Sequence, residues 1–246
     1  MNLIVDIGNS RVKLAVMDGG RCVAERGSEY FSAAVLGELA AVFPLRRAIV
    51  SSTRGSAADA AAAVRASGIP CLEFTPQTPV PIASDYLTPE TLGRDRLAAA
   101  VGATVLCPGR SVLVVDCGTA VTVDFVSADG TFRGGSISPG LQTRFRALHE
   151  FTASLPLCAA SDSEELFGRS TRQAIEQGVL NSLVFEIEGY IARMRQKFDD
   201  LCVIFTGGDA KYLTKRIKNT IFADCNPVFC GLDRILEFNA SEEDLP

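Results

Sequence analysis

Two short stretches carry the residue types best suited to chemistry. DIGNSRVK at residues 6–13 and DCGTA at residues 116–120 each place Asp-x-Gly at the end of an apolar run, and the two aspartates lie 110 positions apart. Glycine in a tight turn lets backbone N–H groups approach a phosphate, and nearby hydroxyl, amide and amine groups add donors. An aspartate at the strand end can bind a cation beside that phosphate. The pair of turns predicts that a nucleoside triphosphate is bound from both halves of the chain.

A third group of residues, GRDR at 93–96, combines one carboxylate with two guanidinium groups. Asp95 lies in the first turn of a predicted helix, flanked by Arg94 and Arg96. The carboxylate can accept a hydroxyl proton while the arginines hold an anion, which suits phosphoryl transfer because positioning matters there more than basicity. The alternative is that Asp95 only stabilises the helix N-terminus and that both arginines are solvated.

Strands and helices alternate around these residues. Each Asp-x-Gly turn is followed by two predicted strands that are joined by a glycine-containing turn, at Gly20 or Gly130, so each half opens with a three-strand meander. Helices are predicted at 32–42, 56–68, 94–106, 140–151, 172–198 and near residue 234. The segment 75–92 holds four prolines and is predicted to be a loop. FTGGDA at 205–210 predicts a strand-to-helix turn that either contacts a nucleoside or is only a tight connection.

The pattern predicts two α/β lobes with a ligand cleft between them, the first at residues 1–110 and the second at 111–246. The C-terminal helix is free to pack back onto the first lobe. The helix at 172–198 repeats apolar residues every three or four positions, which predicts a core element whose remaining apolar surface can form a dimer interface. These residues are Ile175, Val179, Leu183, Ile187, Ile191, Met194 and Phe198.

Composition excludes several other classes of protein. The net charge of −5 and the pI near 5.1 argue against a nucleic-acid partner, which needs a basic face. No apolar run reaches the ~18 residues of a membrane helix, and no signal peptide is visible, so a cytoplasmic protein is expected. The eight cysteines lack the paired spacing of zinc sites, and the single histidine, His149, leaves little material for a histidine-based site.

Seven motifs in this order resemble those of the type III pantothenate kinases, from residue 3 to about residue 210: DIGNSRVK, YLTPETLGRDR, VVDCGTAVTVD, GGSISPGL, FTASLP, FGRST and FTGGDA. The family resembles the superfamily of acetate kinases, sugar kinases, heat-shock ATPases and actin. In that superfamily a ribonuclease-H-like domain is duplicated and each copy contributes one phosphate hairpin. The resemblance implies the same two-domain fold here.

The resemblance also implies an activity, the ATP-dependent phosphorylation of pantothenate to 4′-phosphopantothenate, which is the first step of coenzyme A biosynthesis. Asp95 falls where the family has its proton acceptor, and Asp116 falls at the site of a monovalent cation, K⁺ or NH₄⁺. Mg²⁺ accompanies ATP, and the family is homodimeric. The positions that bind ATP match Asp6, Ile7, Gly8, Asn9, Ser10, Arg11, Val12, Lys13 and Thr119. The positions that bind pantothenate match Tyr86, Gly93, Arg94, Asp95, Arg96 and Thr171.

One departure from the family and two alternative functions bear on this hypothesis. Ser10 stands where the family usually has Thr, so the hydroxyl is kept and only a methyl group is lost. The first alternative is another small-molecule kinase of the same superfamily, which would differ at GRDR and in the loop before it. The second is a non-catalytic protein switched by nucleotide, in which Asp95 would be dispensable.

Overall fold

A computed structural model describes residues 1–217, 221–222 and 226–240, with only the backbone described at 221–222. Within these residues the strands are β1 (Asn2–Ile7), β2 (Val12–Asp18), β3 (Arg21–Ser28), β4 (Arg47–Ser52), β5 (Cys71–Glu73), β6 (Ala83–Ser84), β7 (Val112–Cys117), β8 (Ala120–Val126), β9 (Thr131–Pro139), β10 (Cys202–Thr206) and β11 (Ile221–Phe222). The helices are α1 (Ala33–Val42), α2 (Ala58–Ala66), α3 (Arg94–Leu106), α4 (Leu141–Glu150), α5 (Thr171–Arg195), α6 (Ala210–Leu213) and α7 (Pro227–Phe238).

The strands form two sheets, ordered β3-β2-β1-β4-β5 and β11-β10-β7-β8-β9-β6. In the first sheet β1 is antiparallel to β2 and parallel to β4. In the second β7 is parallel to β10. Both central strands are nearly continuous apolar runs, as expected of strands covered on both faces. Both ends of β7 lie 110 positions after the ends of β1, and the two predicted meanders are confirmed as β1-β2-β3 and β7-β8-β9.

The chain packs as two compact units. The first unit contains Met1–Gly109, Val126–Gly134 and α7, and the second contains Arg110–Phe125 and the stretch from Gly135 to β11. The domain boundary predicted after residue 110 lies one residue beyond Gly109, where the first stretch of the first unit ends. Helix α7 follows residue 110 in the sequence but packs in the first unit, which is the arrangement that the sequence left open for the C-terminal helix.

Helix α7 belongs to the first unit because it crosses α3 at very close range. A Cβ on Gly231 would lie 1.8 Å from the carbonyl oxygen of Ala98, and a Cβ on Gly102 would lie 1.9 Å from that of Pro227. Only glycine fits at either position. Side-chain hydrogen bonds also join α7 to β1, since the Asn2 amide donates to Asp233 Oδ1 at 2.8 Å and to Glu237 Oε1 at 2.6 Å.

Each unit has its own apolar core. The core of the second unit is built on α5, whose residues Ile175, Val179, Leu183, Ile187 and Ile191 are all buried, so the predicted periodicity is confirmed. The helix ends at Arg195, earlier than the predicted residue 198. In contrast, α7 begins at Pro227 and is longer than the helix predicted near residue 234.

Three further points concern the predicted elements. The proline-rich segment at 75–92 is mostly loop, as predicted, and contains β6 and one 3₁₀ turn at Pro89–Thr91. Among the described residues, no helix is both long and apolar enough to cross a membrane. Cys225 and the acidic residues after position 240 lie outside the described residues.

Candidate active site

The first predicted phosphate-binding turn connects β1 to β2. Asp6 ends the apolar part of β1 and pairs directly with Lys13 across the strands. Between them the chain closes tightly, with the Gly8 amide donating to the carbonyl of Arg11 at 3.0 Å. Asn9, Ser10 and Arg11 are exposed at the tip of the turn. The polar groups predicted to contact phosphate are therefore accessible, while the strands that carry them are held in the core.

A residue that the sequence analysis missed supports this turn. β4 ends beside β1 because the two strands are parallel. The Thr53 amide that follows it donates to the carbonyl of Ile7 at 2.9 Å. The next side chain, Arg54, donates from Nε to the carbonyl of Gly8 and from Nη2 to that of Glu29 at 3.3 Å. A polar run after a parallel neighbour of β1 is the signal that could have indicated Arg54.

The Asp6 carboxyl has an unusual environment. Asp6 is partly exposed, but its Oδ1 is buried and, within the part of the chain that the structure describes, accepts no hydrogen bond. Burial raises the pKa of Asp6 to about 6, with a further increase from the charge of Asp95 and an opposing effect of Lys13. These three predicted site residues thus lie within electrostatic range of one another. A buried carboxylate oxygen that accepts no hydrogen bond from the described residues suits a hydrated cation.

Asp95 lies at the start of α3, as predicted. Gly93 is the N-cap, Arg94 is the first helical residue, and the backbone amide of Arg96 donates to Asp95 Oδ1 at 2.8 Å. Asp95 is half-buried, whereas both arginines are buried. The predicted alternative of two solvated arginines is therefore wrong.

Arg94 is directed at the loop that precedes its own helix. Its Nη2 donates to the carbonyl of Pro89 at 3.2 Å and to that of Leu92, and its guanidinium lies 5.8 Å from the Phe74 ring centroid. Burial lowers the pKa of Arg94, and the charge of Asp95 opposes this effect. These contacts fix the loop before Asp95. The predicted contact of Arg94 with substrate stays a prediction.

Arg96 points to a different group of side chains. Its Nη1 lies 3.5 Å from the hydroxyl of Tyr86, which is also a predicted substrate residue. The ring of Phe132 packs on the same guanidinium, with 5.9 Å from Cζ to the ring centroid. The structure therefore brings Tyr86 and Arg96 together. It adds Phe132, which no motif indicated.

The second predicted turn, in the second unit, connects β7 to β8. Asp116 is half-buried near the end of β7, and Thr119 is exposed in the turn. The carbonyl of Thr119 accepts hydrogen bonds from the Gly140 amide at 3.0 Å and from the Thr143 hydroxyl at 2.8 Å. The N-terminus of α4 thereby fixes the conformation of this turn.

The FTGGDA segment packs against the same turn. Gly207 has a φ of +94°, and a Cβ there would lie 2.5 Å from Asp116 Oδ1, so glycine is required on both counts. The Asp209 amide donates to the carbonyl of Cys117 at 3.0 Å. Burial raises the pKa of Asp209, and burial together with Asp116 and Asp209 raises the pKa of the Cys117 thiol to about 12. The thiol is therefore protonated at neutral pH and is not a nucleophile.

Thr171 is the first residue of α5 and is exposed. The preceding residue, Ser170, is the N-cap and accepts a hydrogen bond from the Gln173 amide at 3.3 Å. The Gln173 side chain accepts one in return from the Arg169 amide at 3.0 Å. These two hydrogen bonds fix the start of the helix, and with it the position of Thr171.

These two sheets, each with an Asp-x-Gly turn after its central strand, define a class of protein. A conserved Baf family protein from Campylobacter jejuni has a TM-score of 0.62 at 21% identity, over 96% of this chain and 98% of that one. A ROK family glucokinase from Streptomyces griseus, solved with glucose and AMPPNP, has a TM-score of 0.51 at 12% identity, over 96% and 98%. The chain thus has the duplicated ribonuclease-H-like fold of sugar kinases and actin-like ATPases, as predicted.

Sequence comparison then identifies one family within this class of protein. The family described as type III pantothenate kinase matches residues 2–193. A type III pantothenate kinase of Phocaeicola vulgatus is 44% identical over 240 residues, which are 97% of this chain and 99% of that protein. The chain belongs to the type III pantothenate kinase family.

Proposed function

We propose that this enzyme transfers a phosphoryl group from ATP to the primary hydroxyl of pantothenate, with Asp95 as the proton acceptor. The product is 4′-phosphopantothenate, and the reaction opens coenzyme A biosynthesis. The observation that carries the proposal is family membership over most of the chain. It also sets aside the alternative of another small-molecule kinase.

Support for Asp95 as proton acceptor comes from its surroundings. It is half-buried at the first turn of α3, where the helix N-terminus and the neighbouring arginines place positive charge beside its side chain. Its backbone position is fixed by the loop that Arg94 holds. A carboxylate is a weak base, but it suffices when the attacking hydroxyl only has to be oriented and its proton removed late.

The exposed turn at Gly8–Arg11 together with Lys13 contacts the phosphates of ATP, and Thr119 is a further ATP-binding residue. Mg²⁺ bound to ATP neutralises charge on the transferred phosphoryl group. Asp6 fits such an ion, because its Oδ1 is buried without a hydrogen-bond partner among the described residues. Mg²⁺ keeps several of its waters, so one carboxylate is enough. Ile7 ends β1 and Val12 begins β2, so these two residues hold the two ends of the turn.

Asp116 holds a monovalent cation, K⁺ or NH₄⁺. The carboxylate lies against Gly207, where any larger residue would occupy the space next to Oδ1. The donor chemistry fits a hard cation. Pantothenate contacts Tyr86, Gly93, Arg96 and Thr171, and its carboxylate pairs with Arg96. Arg94 belongs to the substrate site through the loop that it holds.

The enzyme is a cytoplasmic homodimer in this proposal, and α5 contributes to the interface. Two aromatic residues on α5 are exposed, Phe185 at 56% and Tyr190 at 37%. A large apolar side chain exposed on a long surface helix is a candidate contact in a protein–protein interface. The interface is symmetric, as in most homodimers.

The experiment that tests the function is an assay of ATP consumption with pantothenate, with and without K⁺, for the wild type and Asp95→Asn. We expect turnover that requires both pantothenate and the cation. In the variant, kcat should fall by about 10²-fold or more, the range of general-base contributions. Phosphorylation of a different hydroxyl compound would contradict the choice of substrate. Binding of ATP without turnover of any acceptor would support the nucleotide-switched alternative.

A further inference from the structure

Phe132, at the start of β9, packs against two of the residues proposed to bind pantothenate. Its ring centroid lies 5.9 Å from that of Tyr86, with the ring planes inclined by 39°. The Cζ of Arg96 lies 5.6 Å from the Tyr86 centroid and 5.9 Å from the Phe132 centroid. Phe132 is fully buried, and Arg96 is 7% exposed. Both rings attract the guanidinium at these distances, and the attraction is larger where water is excluded.

The backbone of Phe132 also fixes the segment that carries Tyr86. β6 pairs with β9 in parallel, with Ser84 opposite Phe132. The Asp85 amide then donates to the carbonyl of Phe132 at 2.9 Å. The neighbouring Arg133 forms an ion pair with Asp85 at 2.5 Å. The β8–β9 hairpin therefore holds the middle of the proline-rich segment 75–92 through both backbone and side-chain contacts.

We infer that Phe132 is a positioning residue of the substrate site, which acts by orienting the guanidinium of Arg96 toward the carboxylate of pantothenate. A guanidinium binds a carboxylate through two parallel hydrogen bonds only when its plane is correctly oriented. Rings packed on Arg96 restrict that orientation. Selectivity for a carboxylate-bearing substrate then depends on the ring at position 132. The inference rests on the proposed function, in which Arg96 pairs with that carboxylate.

The test compares pantothenate with its alcohol analogue, pantothenol, which keeps the reacting hydroxyl but lacks the carboxylate. The selectivity is the ratio of kcat/KM for the two compounds, measured for the wild type, Phe132→Leu, Arg96→Gln and the double variant. We expect Phe132→Leu to lower the ratio about tenfold, which corresponds to ~1.4 kcal/mol, mainly through KM for pantothenate. Its KM for ATP should stay within about twofold. The double variant should be no less selective than Arg96→Gln alone, because both changes act on one interaction.

Two controls separate positioning from a general loss of packing. Phe198→Leu removes a ring from a different aromatic pair, Phe125 and Phe198, whose centroids are 4.9 Å apart. It should lower thermal stability without changing the selectivity. Phe132→Tyr keeps the ring and should keep the selectivity of the wild type. If Phe132→Leu is destabilised but retains the wild-type ratio, the residue is only structural and the inference is wrong.

The remaining outcomes distinguish the inference from the proposed function. Loss of selectivity in Arg96→Gln but not in Phe132→Leu overturns the inference and leaves the proposed function standing. Unchanged selectivity in both variants overturns the inference and also the pairing of Arg96 with the carboxylate. A wild-type enzyme that phosphorylates neither compound overturns the inference together with the proposed function.

Discussion

Among single residues, Asp6 makes the free energy of unfolding depend on pH. The protonated form is favoured in the folded protein, because burial raises its pKa to about 6 from an ordinary value of 3.8. Between these two pH values the folded chain binds a proton that the unfolded chain has already lost. The free energy of unfolding therefore falls as pH rises through this range, and the loss is complete about one pH unit above the pKa of the folded protein.

We predict that Asp6→Asn stabilises the ligand-free protein at pH 8 by about 2 kcal/mol, which is less than the full pKa shift would give because Asp6 is partly exposed. The gain should vanish near pH 4. Urea unfolding of both proteins across this range measures it. The exposed Asp18, changed to Asn, is the control and should show no such trend. A gain that is independent of pH would contradict the assignment.

Arg94 is predicted to stabilise the fold more than an exposed arginine with similar contacts. Arg94→Ala removes donors from two backbone carbonyls in a buried position and should cost about 2–3 kcal/mol. Arg65 donates to the carbonyl of Cys71 from an exposed position, and Arg65→Ala should cost less than about 1 kcal/mol. Chemical unfolding of both variants checks the difference. Equal costs would show that Arg94 does not hold the loop.

The sequence predicts the site residues that lie within a motif. It does not predict those that strand pairing brings to the site from elsewhere in the chain. Asp6, Asp95 and Asp116 occupy strand ends and a helix start, which local patterns specify. Phe132 and Arg54 join the site only because β9 pairs with β6 and β4 lies beside β1. Such pairings depend on the complete sheet, so the polar run that contains Arg54 becomes informative only once β4 is placed beside β1, and Phe132 carries no local signal.

At the scale of secondary structure, the α3–α7 crossing depends on Gly231. Gly231→Ala would place a Cβ 1.8 Å from a backbone carbonyl and force the helices apart, so we predict a loss of about 3 kcal/mol or more in stability. Gly178 in α5 is the matched control, since a Cβ there meets no atom within 4 Å. Gly178→Ala should raise stability by about 0.5–1 kcal/mol. Thermal unfolding distinguishes the two, and a stabilised Gly231→Ala variant would contradict the crossing.

Helix periodicity was predictable for α5 and not for α7. The apolar positions of α5 recur from Ile175 to Met194, over about five turns, which is long enough to identify a helix from its period alone. Pro227 and Gly231 interrupt the pattern of α7, although proline is favoured in the first turn of a helix and glycine is needed at the crossing. The same residues that shorten the predicted helix thus serve the packing of the actual one.

At the scale of the whole molecule, the proposed homodimer can be tested through α5. Phe185→Glu places a charge in the proposed interface and should shift the protein from dimer to monomer at micromolar concentration. The exposed Tyr30 of the first unit is 68% accessible, and Tyr30→Glu is the control that should leave the mass unchanged. Sedimentation velocity measures both. A Phe185→Glu protein that stays dimeric would place the interface elsewhere.

The hydrogen bond between Asn2 and Asp233 spans 231 positions and has a consequence for synthesis in the cell. The first unit cannot bury α3 or complete its sheet contacts until α7 has left the ribosome. The second unit, whose strands and helices all precede α7, has its full sequence earlier. Domains usually fold in the order in which they are translated. Here the N-terminal part of the chain must wait for α7, the last of the described helices, so we expect it to stay incompletely packed for most of its synthesis.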